Sequence, residues 1–383
     1  MSPVTQPSGN AARARGGLPA FWQRISEGRQ LDELWSQFTA DARASYGFYM
    51  KDADSGEMVN QRGRPRIGHI IKTLFWSLLM KLTPARRILL LVALVLLALS
   101  GMRFQYDHNV NVDFNFNLFA ALLFLLLLSL ELADKVTMKR DLEIAREIQS
   151  WLIPSTPPVV PGGEVAFSTR PQNSVAGDYY DAFFPTPEAA GCGKLMLVIA
   201  DVAGKSVPAA LLMSTLQASL HTIAGEGASL HDLVIRLNHY ASAHSLDGLR
   251  FTTAVIGEYD CPSHKFTYVN AGHNPPILRR SDGATENLEI GGLPLGIDSA
   301  ATYQTGEITL QQGDALILYT DGVIEAFNQR GEEFGNTRWI EAIRALPAWG
   351  AAESLQFLMR RVDEFVLATR QSDDITCLVF RSK

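Results

Sequence analysis

The stretch Leu195-Met196-Leu197-Val198-Ile199-Ala200-Asp201-Val202-Ala203-Gly204-Lys205-Ser206-Val207-Pro208 decides the fold. The unbroken apolar run from Leu195 to Ala200 reads as a strand covered on both faces. Asp201 closes it, Val202-Ala203-Gly204-Lys205 makes a tight loop, and Pro208 opens a helix that continues to Ile223. Gly204 allows the backbone to come close to a ligand. On either side, Val165–Thr169, Phe251–Glu258, Phe266–Asn270, Ala315–Thr320 and Ile375–Phe380 read as further strands, and His231–His244 and Leu355–Ala368 as amphipathic helices. Strand pairs followed by helix pairs predict two sheets with helices outside, an α/β sandwich.

Four aspartates stand where strands are expected to end: Asp178, Asp201, Asp321 and Asp373. One such residue is often only a helix cap or turn former. Four carboxylates gathered at one sheet edge repel, and stay ionised together only around a cation. Oxygen ligands without a His/Cys cluster favour a hard ion such as Mg²⁺ or Mn²⁺. The chemistry expected is hydrolysis at a carboxylate metal site. A phosphodiesterase-like two-metal site would recruit histidines, and the eight present do not cluster near the aspartates in sequence.

Seven segments occur in an order that resembles the bacterial SpoIIE/RsbU-like branch of the metal-dependent (type 2C) protein serine/threonine phosphatases. They are Ala145-Arg146-Glu147-Ile148-Gln149 with Leu152-Ile153-Pro154, Gly177-Asp178-Tyr179-Tyr180-Asp181, Asp201 through Met213, Asn270-Ala271-Gly272-His273-Asn274-Pro275-Pro276, Gly292-Leu293-Pro294-Leu295-Gly296, Tyr319-Thr320-Asp321-Gly322-Val323, and Asp373-Asp374-Ile375-Thr376. The resemblance runs from about Ile144 to the C-terminus. It implies an αββα sandwich and two Mn²⁺ or Mg²⁺ ions. Asp201 would bridge them, Asp178 and the Val202 carbonyl would serve one, and Asp321 and Asp373 the other. Asp374 either joins that second site or hydrogen-bonds a water on it. A metal-activated water would then attack phosphoserine or phosphothreonine on a regulatory protein, an anti-sigma-factor antagonist in this branch. His273 is one candidate for the leaving-group acid, with turn shaping as its bland alternative, and Lys205 and Arg170 are weaker candidates for meeting phosphate. Two positions depart from the family: Ala176 stands where glycine is usual, and Ala203-Gly204-Lys205-Ser206 replaces Ser-Gly-Lys-Gly. A rival outcome is a catalytically inactive signalling scaffold with the same fold.

The preceding third is different in kind. Ile88–Met102 and Leu118–Leu130 are almost wholly apolar. Each is short against the roughly 20 residues of a spanning helix, but flanking residues extend both. Lys72, Lys81, Arg86 and Arg87 precede the first run, and Lys135, Lys139 and Arg140 follow the second. The positive-inside rule then puts both ends in the cytoplasm of a bacterial inner membrane, with a short external loop. The organisation expected is a partly helical cytoplasmic region over 1–85, a transmembrane hairpin over 86–132, a linker helix over 133–156 and the phosphatase domain over 157–383. Residues 1–18 read as disordered, Phe21–Phe38 as a helix and His69–Met80 as an interfacial or core helix.

In the linker, Met138, Leu142, Ala145, Gln149 and Leu152 recur at 4-3-4-3 spacing. The seam fits either packing on the chain's own catalytic domain or a homodimer through the linker. The partners expected are a phosphorylated protein and membrane lipid. The net charge of −6 argues against nucleic acid. A mean hydropathy of +0.03 is high for a soluble chain. Cys192, Cys261 and Cys377 form neither a disulfide framework nor a zinc pattern, and read as buried packing residues.

Overall fold

The structure is a computed structural model that describes residues 75–76, 79–100, 103–107, 110–113, 115–186, 193–204, 206–245, 250–367, 369 and 371–383. The expectations for residues 1–18, Phe21–Phe38, Lys205 and Cys192, and for most of His69–Met80, lie outside these. The chain divides into two compact units, Met1–Asp134 and Lys135–Lys383.

In the first unit, helix α1 (Pro84–Leu99) leads through an antiparallel pair, β1 (Arg103–Asp107) and β2 (Val110–Asp113), to the start of α2 (Asn117–Leu152). The loop between the two apolar runs is therefore a β-hairpin. α1 opens with proline in its first turn, where the missing N–H costs nothing. The two helices are tied at both ends: Arg86 reaches Glu131 and Asp134 at 2.8 and 2.6 Å, and the Phe116 N–H donates to the Ser100 hydroxyl at 3.2 Å. Leu118, Leu125 and Leu128 are 68, 58 and 65% exposed, so this hairpin presents apolar surface outward. By length and composition α2 is a candidate membrane span. α1, at 16 residues, is shorter than a standard span.

The second unit is a four-layer sandwich. One sheet has the order β10-β7-β6-β5-β4, with β11 also paired to β7; the other is β3-β13-β12-β8-β9. Their strands are β3 (Gly163–Arg170), β4 (Asp178–Phe183), β5 (Lys194–Val202), β6 (Thr252–Asp260), β7 (Lys265–Ala271), β8 (Ile277–Arg279), β9 (Thr285–Asn287), β10 (Gly291–Gly292), β11 (Gly306–Thr309), β12 (Ala315–Tyr319) and β13 (Ile375–Ser382). The helices are α3 (Val207–Gly225), α4 (Leu230–Ala243), the short α5 (Asp321–Ile324), α6 (Gly335–Arg344) and α7 (Ala351–Val366).

Side-chain parity builds the layers, because successive residues of a strand face opposite sides. Along β5, Leu195, Leu197 and Ile199 join the core between the sheets, with Leu316, Leu318, Leu378 and Phe380 of the facing sheet. Met196, Val198, Ala200 and Val202 face α3 and α4. β12 and β13 repeat the pattern: Ile317, Tyr319, Cys377 and Val379 face α6 and α7. Both faces of β5 are thus covered, which is why its sequence is a continuous apolar run rather than an alternating one. Each fully buried leucine or isoleucine contributes roughly 1.5–3 kcal/mol. Cys261 and Cys377 are buried, as packing residues.

Candidate active site

Parity also places the carboxylates. Asp178 opens β4 and pairs directly with Asp201 near the end of antiparallel β5. Asp201 has the parity of Leu197 and Ile199, so both residues belong to the face between the sheets. Asp321 follows β12, and Asp373 and Asp374 precede β13. This corrects the expectation that all four aspartates end strands: Asp201 and Asp321 come at strand ends, Asp178 and Asp373 at strand starts. In antiparallel neighbours the start of one strand lies beside the end of the next, so the edge is shared nonetheless.

The walls of one cleft of about 200 Å³ include Asp201, Ala203, Phe251, Thr253, His273, Asn274 and Asp321. Asp178 is buried and accepts from the Thr320 hydroxyl at 2.9 Å. Burial holds its carboxyl well above the usual range, and the Asp201 and Asp374 charges push the same way. Asp374 is committed to backbone: its two oxygens accept the Gln172 and Gly177 N–H groups, each at 2.7 Å. Asp373 accepts from the Asp374 N–H at 2.9 Å. Among the described residues, no three His, Cys, Asp or Glu side chains form a ready-made metal cage.

Two glycines lie at this edge, and one of them, Gly322, is required for a close backbone approach. A Cβ on Gly177 would lie 3.4 Å from the Val202 carbonyl oxygen and 3.7 Å from an Asp201 carboxylate oxygen. A Cβ on Gly322 would stand 2.0 Å from the Asp374 carbonyl oxygen, an impossible contact. Gly322 is thus what lets Asp321 sit beside Asp373 and Asp374. The donors around this edge are carboxylates and a carbonyl, all oxygen, and Asp178 is buried beside like charge. The residues present therefore fit a hard divalent cation.

His273 forms part of the cleft wall and bridges the sheets. Its Nε2 is 3.2 Å from the Tyr319 carbonyl and its Nδ1 2.8 Å from the Thr253 hydroxyl. A carbonyl only accepts, so Nε2 carries the proton and Nδ1 accepts. Asn270 folds the preceding turn by accepting the His273 N–H and donating to its carbonyl. Gly272 takes φ +68, with Pro294 where a Cβ would be. Burial pushes the His273 pKa down to about 4, so the imidazole is neutral at pH 7 and holds no acidic proton ready for a leaving group. The bland reading, a residue that shapes and locks its turn, is the one this geometry favours.

Other candidates are used elsewhere. Arg170 makes a bidentate pair with Asp363 of α7. Asp181 points to the helix side of β4, where the Tyr179 hydroxyl, the Ala182 N–H and His221 of α3 all meet its carboxylate at 2.7 Å. Sequence reasoning missed Thr320 and Thr253, whose hydroxyls tie the site to the opposite sheet or to His273. Their only signal was a small polar residue at a strand end beside an apolar run.

Residues 191–383 match the family described as stage II sporulation protein E (SpoIIE). The chain is 28% identical to the phosphoserine phosphatase RsbU of Bacillus subtilis over 249 residues, 64% of this chain and 71% of RsbU. It is 28% identical to the phosphoserine phosphatase RsbP of the same organism over 199 residues, 50% of this chain and 47% of RsbP. In structure it resembles the SiaA-PP2C domain of Pseudomonas aeruginosa, with a TM-score of 0.55 at 22% identity, over 66% of this chain and 99% of that domain. By its matched sequence and its sandwich, the chain belongs to the SpoIIE family, and its C-terminal unit is a protein serine/threonine phosphatase domain of type 2C fold.

Proposed function

We propose that the chain is a membrane-anchored, Mn²⁺- or Mg²⁺-dependent phosphatase that removes phosphate from serine or threonine of a regulatory protein, an anti-sigma-factor antagonist. The observation that carries the metal reading is the pairing of buried Asp178 with Asp201, beside the cleft that Asp321 also lines. Asp201 would bridge two ions, Asp178 and the Val202 carbonyl would hold one, and Asp321 and Asp373 the other. Asp374 supports the set through its hold on Gly177. The ions, when bound, would lower the pKa of a water and neutralise charge on the phosphoryl oxygens.

The chain's own residues supply the rest. Thr320 orients Asp178 from the opposite sheet, and Phe251 and Thr253 close the cleft wall. No cysteine or serine nucleophile is required, so no phosphoenzyme is expected. The apolar α1–α2 hairpin with basic flanks supports anchoring, with both ends in the cytoplasm.

The test is phosphate release from a phosphoserine peptide by the full chain in detergent, with Mn²⁺, with EDTA and as Asp201→Asn. Release that needs the metal and vanishes in the variant is expected. Silence under all conditions would favour the inactive scaffold. Asp178→Asn provides a second check on thermal stability. Removing the buried carboxyl, whose ionised form burial and the neighbouring Asp201 charge both disfavour, should raise the melting temperature in EDTA while abolishing the further rise that Mn²⁺ gives to the unmodified chain.

A further inference from the structure

Arg279 closes β8 and Arg381 stands near the end of β13, and both are register partners of Ala315, which opens the β12 strand between them. Residues directly opposite one another in a sheet share a face. Ile277 and Val379, two residues away along the outer strands, belong with Ala315 to the core against α6 and α7. The two arginines therefore face that helix layer, separated in the sheet only by an alanine methyl. They are 8 and 5% exposed.

A buried charge is costly unless paired. Among the described residues, neither guanidinium makes an ion pair. The acids nearby in register are taken by others. Glu164, opposite Arg381, meets Lys383 at 2.6 Å and the Ala351 N–H at 3.0 Å. Asp314, just before Ala315, meets Arg280 at 2.8 Å.

What the two guanidinium groups hold is backbone. Arg279 Nη2 donates to the Leu346 carbonyl at 2.6 Å, and Arg381 Nη2 to the Pro347 carbonyl at 2.7 Å. Consecutive carbonyls of one turn thus bring two cations together. Burial, and then the Arg279 charge, hold the Arg381 pKa below its ordinary value. The Nη1 atoms donate to the Arg280 and Gly313 carbonyls at 3.2 and 3.1 Å. The Nε of each, the guanidinium nitrogen nearest the sheet, has no partner. Neither has the hydroxyl of Ser354, a wholly buried residue in the first turn of α7.

We propose that Arg279 and Arg381 form a buried site for a small monovalent anion, chloride in its simplest form, which neutralises the pair above Ala315 and holds the turn between α6 and α7 onto the sheet. A planar oxyanion takes the two-pronged edge of a guanidinium. Here the terminal nitrogens are engaged and the one wholly unpartnered nitrogen on each side is Nε, which suits a monoatomic ion. The site lies at the opposite end of β12 from Asp321, so it stands independently of the metal reading.

The experiment uses the full chain in detergent with EDTA, and chloride as the probe. The melting temperature is read as gluconate is replaced by chloride at constant ionic strength. A saturable rise of at least about 3 °C is expected in the unmodified chain. Arg381→Met, which keeps the stem and removes the charge, should lose the rise. Ser354→Ala should move its midpoint to about threefold higher chloride. No rise in the unmodified chain would overturn the site. So would an equal rise in Arg381→Met, because chloride would then act elsewhere. Should Arg381→Met fail to fold, crystals of the unmodified chain with bromide in place of chloride decide the matter. An anomalous peak between the two Nε atoms supports the site, and its absence there overturns it.

Discussion

At Ser206 the backbone takes φ 66 and ψ −145, a region that only glycine enters cheaply. The family pattern has glycine at this place, and this chain carries strain in the loop that leads from Asp201 into α3. The strain is about 1–3 kcal/mol, against about 0.5–1 kcal/mol of extra unfolded-state entropy that glycine would bring. The balance favours glycine, so Ser206→Gly should stabilise the metal-free chain by about 1 kcal/mol. An unchanged or lower urea midpoint would show that the loop is not strained. At His273, burial opposes protonation in the folded state, with a pKa of about 4 against an ordinary 6.5. The unfolded chain takes up the proton first as pH falls. The histidine's contribution is therefore complete above about pH 6.5 and is lost as pH falls towards 4, by roughly 3 kcal/mol in all. Urea midpoints between pH 7.5 and 4.5, in EDTA, should shift less for His273→Gln than for the unmodified chain. Equal slopes in the two proteins would refute the assignment.

The elements that were legible in the sequence are those buried on both faces. β5, β6, β12 and β13 announce themselves because a strand between a sheet and a helix layer has no polar side to alternate. β4 was hidden: Asp178 and Asp181 give it polar residues on both faces, one toward the site and one toward α3, and its buried tyrosines carry hydroxyls. β8 to β11 are two to four residues long and leave no periodic trace. α6 was lost because its inward residues, Trp339, Ala342 and Ile343, are few among polar ones. The linker seam was legible as a stripe, and its order was informative: Leu142, Ala145, Gln149 and Leu152 are its covered positions while Met138 is 59% exposed. The contact between the sheets at the site was not legible, because it rests on single polar groups such as one hydroxyl. Thr320 donates to Asp178, accepts the Thr376 N–H at 3.0 Å, and is fully buried. Thr320→Val preserves the shape and strips both bonds, which should cost about 2–3 kcal/mol by leaving a buried donor and acceptor unmet. Thr320→Ser should recover most of that. A valine variant as stable as the serine one would mean that the hydroxyl does not join the sheets.

For the whole molecule, the strongest contrast is between a C-terminal unit whose apolar residues are inside and an N-terminal unit whose leucines face outward. Exposed leucine along α1 and the first half of α2 is costly in water at about 25 cal/mol per Å², and free of that cost in lipid. The ion pairs of Arg86 with Glu131 and Asp134 mark one end of the hairpin, and β1–β2 the other. Basic residues accumulate at the end where the chain enters and leaves: Lys81, Arg86 and Arg87 before, Lys135, Lys139 and Arg140 after. The hairpin tip has Arg103 offset by Asp107 and Asp113. If the hairpin is anchored as proposed, the charge rule would send the tip outward and keep the phosphatase unit inside. Cysteine labelling decides this. In a Cys192→Ser background, where the remaining Cys261 and Cys377 are buried, a cysteine placed at Asn109 should react in intact cells with a reagent that does not cross the membrane. One placed at Ser2 should react only after the cells are opened. Labelling of both in intact cells, or of Ser2 alone, would invert or abolish the hairpin. Labelling of neither until lysis would make the apolar pair a buried or interfacial element instead, and the proposed anchoring would fail.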